Sequence, residues 1–411
     1  MDDLRSEIRA AFQKEQALNP SSPDLRHNIV QSVATRPGRR VDLQWMAVAA
    51  AIVIGALVVV SLMSTRIAQQ SVPVHRAPVG DYGPPPAGVP LFYLQDPLHD
   101  GWYIGFDWSG KPRGTIKLAN ALGDNGTLNQ APDGSAFGVA PLGKGRVEQF
   151  LDRLGNPTTG DSLHPPYYFQ MWADDSTGLC ALDYDSQAQQ WQIGLRAPGA
   201  PATVRPVAIH PNVATGIIAI DFRACSPRND RAILVYNLMG VPTELWVVRI
   251  SDGAILLHRS YPANNVADIT ASPDGSLIAE SSGKSVGYIG GPTAETTVVE
   301  RLSDGARLMK VDPGIGVLGF SADMKTVLVS TSPWSAGRAT NLAILDIRTG
   351  QPIWSYNGGE LLSGFFIDPA GSGFAVMLQS VAPHGSHPPV DVVVVDGAGK
   401  ATDLTGNYLH P

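Results

Sequence analysis

The stretches APDGSAFGVA (131–140) and SPDGSLIAES (272–281) are two copies of one phrase, a Pro-Asp-Gly turn leading into a short apolar strand. Asp-Gly suits a tight turn because the chain needs positive φ there, where glycine carries no steric cost. Weaker copies read DDSTGLCALD (174–183), CSPRNDRAILVY (225–236), FSADMKTVLVS (320–330) and DPAGSGFAVML (368–378). Their turn centres, near 133, 176, 228, 274, 322 and 370, are separated by 43, 52, 46, 48 and 48 residues.

A second signal runs out of phase with the first. Strands ending in a glycine turn occur as WYIGFDWSG (102–110), VEQFLDRLG (147–155), WQIGLRAPG (191–199), LWVVRISDG (245–253), VVERLSDG (298–305), LAILDIRTG (342–350) and VVVVDGAG (392–399). Two interleaved hairpin turns at one period mean four strands per unit. Seven such units without intervening helices predict an all-β chain folded as a seven-bladed β-propeller of four-stranded blades over 86–411. The first unit lacks a Pro-Asp-Gly copy, so the residues around 401–411 are expected to complete that blade and close the ring, which removes exposed edges.

The phrase SPDG at 272–275 and 131–134, with LWVV…DG at 245–253, resembles the TolB-type and WD-like propeller repeats of bacterial exported proteins. The resemblance covers about 320 residues and speaks to fold, since the matching residues make turns.

Upstream lies a different kind of chain. From Leu43 to Thr65 no residue is charged, and residues 45–63 (WMAVAAAIVIGALVVVSLM) form a 19-residue apolar run. At a rise of about 1.5 Å per residue this matches a bilayer's hydrocarbon thickness, which predicts one transmembrane helix. Arg36, Arg39 and Arg40 precede it closely, whereas only Arg66 and Arg76 follow. The N-terminus is therefore expected in the cytoplasm and the propeller outside, on a single-pass signal-anchor in the cell membrane. Residues 64–85 hold Pro73, Pro78, Pro84 and Pro85 and read as an extended extracytoplasmic linker.

Residues 1–44 are read as a cytoplasmic helical segment. Leu4, Ile8, Ala11 and Phe12 recur at helical spacing, and Ser22-Pro23 starts a second short helix carrying Leu25, Ile29 and Val33. A short helical hairpin before one span is similar in layout to membrane-bound anti-sigma factors. That likeness implies a cytoplasmic partner for residues 1–44, although the zinc-binding His-x₃-Cys-x₂-Cys signature is absent.

The net charge of −7 and the lack of a basic stripe argue against a nucleic-acid partner. Only two cysteines occur, Cys180 and Cys225, so no Cys₄ or Cys₂His₂ zinc site can form. Outside the cytoplasm the two can pair as a disulfide; the alternative is a pair of buried thiols.

Catalytic motifs fail in turn: the sequence has no Gly-x-Ser-x-Gly elbow, no phosphate-binding loop and no His-Glu-x-x-His. His384 and His387, and the acidic pairs at 174–175 and 183–185, lack a recognised metal-ligand spacing, so no metal or cofactor is implied. Asp133, Asp252, Asp274 and Asp304 are expected to cap turns. Trp334, Tyr167, Tyr168 and Trp172 are the candidate partner-binding residues, on or near loops, against the alternative of packing between blades. The sequence thus favours a membrane-anchored binding or sensing module for a protein, peptide or glycan. It leaves open an anti-sigma-like regulator with a sensor propeller. It also leaves open a hydrolase or lyase using the central channel, which would need acids or histidines on the first strand of the blades; the sequence does not locate them.

Overall fold

The computed structural model describes residues 82–404, except 97–98, 100, 119–126, 141–148, 159–168, 186, 201–202, 210–219, 238–240, 264–265, 283–295, 312–314, 331–340, 359 and 380–389. The expected helical segment 1–44, the span 45–63 and the linker as far as residue 81 lie outside the described residues. Among the described residues no helix is long and apolar enough to cross a membrane.

Seven antiparallel sheets follow one another along the chain. The first holds β1 (Phe92–Gln95), β2 (Trp102–Phe106) and β3 (Pro112–Lys117); the second holds β4 (Thr127–Gln130), β5 (Ala136–Ala140) and β6 (Gln149–Asp152). The third comprises β7 (Phe169–Trp172), β8 (Leu179–Asp185), β9 (Gln190–Arg196) and β10 (Thr203–Val207). The fourth comprises β11 (Ile220–Ser226), β12 (Arg231–Tyr236), β13 (Thr243–Val248) and β14 (Ile255–Tyr261). The fifth comprises β15 (Val266–Ala271), β16 (Leu277–Ser282), β17 (Thr296–Arg301) and β18 (Arg307–Val311). The sixth comprises β19 (Gly316–Phe320), β20 (Thr326–Ser330), β21 (Leu342–Asp346) and β22 (Pro352–Tyr356). The seventh comprises β23 (Leu361–Ile367), β24 (Phe374–Gln379), β25 (Val390–Val395) and β26 (Ala401–Asp403).

Both repeat signals land where the sequence puts them. In the fifth sheet the turn at Ser272–Gly275 joins the first and second strands, and the turn at Asp304–Gly305 joins the third and fourth. Alternating residues on each strand face opposite sides of the sheet, so an isolated blade would expose two apolar faces. Seven buried clusters resolve this, one between each pair of neighbours. Tyr93 and Phe137 join the first and second sheets, Phe150 and Trp172 the second and third, Leu182 and Phe222 the third and fourth. Ile233 and Ile269 join the fourth and fifth, Val299 and Phe320 the fifth and sixth, Ile344 and Phe374 the sixth and seventh. Phe106 and Val394 then join the first to the seventh. Seven sheets with seven interfaces, the last returning to the first, form a closed seven-bladed propeller.

The turns between first and second strands also touch one another around the ring. The Asp133 amide donates to Ser176 Oγ at 3.1 Å and Ser226 Oγ to the Asp174 carboxylate at 2.9 Å. Asn229 Nδ2 donates to the Asp274 carbonyl at 3.0 Å, and Ser372 Oγ to the Asp323 carboxylate. Partners in these bonds stand 43, 52, 45 and 49 residues apart, one blade in each case. The repeated phrase is therefore both a turn and an inter-blade contact.

The four-stranded blade is the rule: four strands are described in five of the seven sheets, and three among the described residues of the first and second. In the second, the described part of the fourth-strand position shows a bridge between Leu151 and Pro157 and an amide bond from Thr158 to the Phe150 carbonyl. In the first, β1 holds the second-strand position, because the Leu91 amide just before it bonds the Asp133 carbonyl within the ring of turns. The residues 401–403, expected to complete that blade, instead form the outer strand of the seventh. Asp396 Oδ1 accepts the amides of Ala398 and Lys400, a tight turn that folds the chain straight back onto β25. Residues 405–411 lie outside the described residues. At the other end, Gly83 accepts from the Thr115 amide and Pro85 from Arg153, so the chain enters alongside β3.

Candidate binding cavity

The first strands of the second to seventh blades surround a central cavity of about 620 Å³, a size in the range of about 300–1,000 Å³ usual for small-molecule sites. The second and third blades contribute Asn129, Gln130, Gln170 and Met171 to its wall. On the fourth are Asp221 and Arg223; the sixth and seventh present Leu318, Phe365 and Phe366. One side of the wall is polar and the other apolar.

The polar side centres on Arg223, where β11 bulges between Phe222 and Ala224 against β12. A bulge re-aims the side chain it carries. The guanidinium lies 3.8 Å from Asp221 on its own strand and 3.5 Å from Asp268 on β15 of the next blade. Both separations exceed the 2.7–2.9 Å or so of a charge-assisted hydrogen bond, and Arg223 Nε has no partner. Asp221 and Asp268 keep 63% and 43% of their side-chain surface accessible, against 29% for Arg223. Asp268 is nonetheless closely surrounded by protein. That burial pushes its pKa above the usual carboxylate range, opposed by Arg223 and by the Ile269 amide and helped by Asp221. Asp174, at the turn end of the cavity, is also raised by burial, with the Ser226 hydroxyl pulling the other way.

On the apolar side the Phe365 ring lies against Gly319, where a Cβ would come within 2.7 Å of the ring edge. Gly319 thus makes room for an aromatic in the wall. Phe366 stacks on Phe92 of the first blade with ring centroids 5.6 Å apart.

Trp172 lines this cavity but is 9% exposed. Its Nε1 donates to the Asn129 carbonyl at 3.1 Å and its ring meets Phe150 edge-on at 5.6 Å, so it packs between the second and third blades. Tyr167, Tyr168 and Trp334 lie outside the described residues, as do His384 and His387. In the structure Cys180 on β8 and Cys225 on β11 are linked as a disulfide with Cα atoms 6.2 Å apart. The aspartates of the repeated phrase hold turns: Asp133, Asp252, Asp274 and Asp304 each accept the amide two residues on. Among the described residues no three metal-ligating side chains converge.

The Asp221–Arg223–Asp268 group is what the sequence reading did not locate. Its signal is present: IDFRAC (220–225) and VADITA (266–271) are first strands that carry charge immediately before the turn phrase.

Fold and cavity together define the class, a seven-bladed β-propeller with a ligand-sized central cavity, an architecture that fits a binding or interaction module. No family model and no curated protein matches the chain. Among solved structures it is similar to the β-propeller domain of Cps50 (Swd1) from Myceliophteria thermophila, at 13% identity and a TM-score of 0.42, covering 71% of this chain and 93% of that one. It is similar also to hydrazine synthase from Kuenenia stuttgartiensis, at 12% identity and a TM-score of 0.45, covering 76% and 93%. The blade count rests on the seven sheets and their interfaces, not on these likenesses.

Proposed function

We propose that this chain is a membrane-anchored, extracytoplasmic binding module of the TolB-type and WD-like kind, in which residues 45–63 hold the propeller at the outer surface of the membrane. The observation that carries the binding role is the closed ring around a cavity with one polar and one apolar side. Such a wall orients a ligand through a few polar groups while burying its apolar surface. The uncharged run at 45–63 supports the anchor, and the Cys180–Cys225 pair supports an oxidising compartment for the propeller. Trp334, Tyr167 and Tyr168 are proposed as contacts to a larger protein, peptide or glycan partner.

The reading is tested on the full chain in native membranes. A photo-crosslinking residue at position 334 or 167 should give a discrete adduct, and externally added protease should reach the propeller in intact cells. Protection of the propeller, or the absence of any adduct, counts against the proposal. A second reading, an anti-sigma-like regulator, is supported by the helical spacing of residues 1–44 ahead of the span. It requires a sigma factor to co-purify with the full chain.

A further inference from the structure

We propose that the central cavity binds a small neutral saccharide, held between the Arg223 side of the wall and the Phe365 side. This inference rests on the binding-module reading and names its ligand class.

Charge argues for neutrality. The charged groups facing Arg223 are Asp221 from its own strand and Asp268 from the fifth blade; Asp174 lies at the turn end with Arg228 near it. An incoming anion meets two accessible carboxylates, and an incoming cation meets the guanidinium between them. With two carboxylates against one guanidinium the group carries a formal charge of −1, which repels an anion, while the guanidinium within 4 Å of both carboxylates already holds the place a cation would take. A neutral ligand with closely spaced donors and acceptors does better, because carboxylates only accept, a guanidinium only donates, and the amides of Asn129 and Gln170 do both. Hydroxyl groups match that mixture. The long contacts of the Arg223 terminal nitrogens, at 3.8 and 3.5 Å, leave donor capacity that these two carboxylates do not use.

Shape argues for a ring with an apolar face. In a circle of seven, blades three places apart lie across the channel from each other, so Phe365 on the seventh blade faces Arg223 on the fourth. A sugar ring placed between them sets its hydroxyl edge against the polar wall and its C–H face against Phe365 and Leu318. A purely aliphatic ligand would leave the polar wall desolvated and unpaired.

The test uses the full chain in detergent micelles, titrated with neutral trisaccharides of glucose, galactose, mannose and N-acetylglucosamine, with tri-lysine and tri-glutamate as charged probes. Calorimetry and tryptophan fluorescence, to which Trp172 in the wall contributes, report binding. At least one trisaccharide should saturate at millimolar concentration or below. Arg223→Met and Phe365→Leu should each weaken it by about tenfold or more, and His258→Ala, on the exposed face of the fourth blade, should not. If Arg223→Met fails to fold, Arg223→Lys, which keeps the charge and loses the fork, should still weaken binding. No saturable trisaccharide binding overturns the proposal, as does binding that neither wall variant alters. Saturable binding of tri-lysine or tri-glutamate alone, lost in Arg223→Met, removes the saccharide class but leaves the binding-module reading standing.

Discussion

Cys180 on the second strand of the third blade and Cys225 on the first strand of the fourth are 45 residues apart in sequence and 6.2 Å apart at Cα. That sequence separation is close to one blade, so the bond ties one repeat to the next across a buried interface. Both residues belong to the cluster containing Leu182 and Phe222. Closing a loop of this length in the unfolded chain stabilises the fold by roughly 4 kcal/mol in the chain-entropy picture. A Cys180→Ala/Cys225→Ala variant should therefore melt several degrees lower, and the parent should run faster on a non-reducing gel than after reduction. Two thiols titrating freely in the denatured, unreduced parent would refute the pairing.

Arg259 on β14 reaches across to the fifth blade, donating to Glu280 at 3.2 Å and to Glu300 at 2.5 Å, while Tyr261 also donates to Glu280. Burial pushes the Tyr261 hydroxyl well above its usual range, reinforced by that bond to Glu280. Replacing Arg259 with Met leaves two half-buried carboxylates without a cation. Removing one partner of a fully buried pair costs about 3–5 kcal/mol; partial solvent access here reduces that to about 2 kcal/mol. Adding Glu300→Gln to Arg259→Met should recover part of the loss, and a double-mutant cycle in denaturant measures the coupling. Independent, additive effects would mean that the clamp is not a unit.

The turns were legible because they obey local rules. Asp274 and Asp304 capture amides two residues ahead, a contact that needs no tertiary information. The seven interfaces were legible only as a consequence of the repeat, and the first blade escaped because its turn position is filled by Leu91 bonding Asp133, with no phrase to mark it. Trp172 looked like a loop-edge aromatic in PPYYFQMW, yet its indole N–H has a backbone partner 43 residues away, which no local pattern announces. Arg223 was hidden for the same reason. Its neighbour Asp268 lies on another blade, and only the packing of the fourth blade on the fifth brings the two strands together.

The two kinds of aspartate in the molecule should respond to pH in opposite senses. Burial raises the Asp268 pKa, so the folded state binds its proton more tightly than the unfolded chain does. Stability from this group is then greatest below the unfolded value and declines as pH rises through the folded value. Asp107 is the reverse. Burial opposes ionisation there, but bonds from the Ser109 hydroxyl, the Lys111 and Ser109 amides and Arg113 outweigh it and hold its pKa low. Its contribution is present above the unfolded value and is lost as pH falls through the folded one. Relative to the parent, Asp268→Asn should gain thermal stability between about pH 4 and pH 7, and Asp107→Asn should lose it over the same range. Melting curves of the three proteins across that range decide the point, and parallel profiles would contradict both assignments.

Gly253 and Gly305 occupy the same turn in adjacent blades with φ of +75° and +69°, yet their surroundings differ. A Cβ at Gly253 would collide with the Pro206 carbonyl oxygen of the third blade, whereas one at Gly305 meets nothing nearer than a Glu300 oxygen at 3.8 Å. Gly305→Ala should therefore pay only for the left-handed backbone, about 1 kcal/mol. Gly253→Ala adds a clash with a backbone atom that cannot rotate away, and the third blade must shift to relieve it. The expected cost is about 3 kcal/mol or more. The comparison separates turn conformation from blade packing, since the two substitutions are chemically identical. Equal destabilisation, measured by chemical denaturation of both variants, would show that the third and fourth blades are not in close contact at this turn.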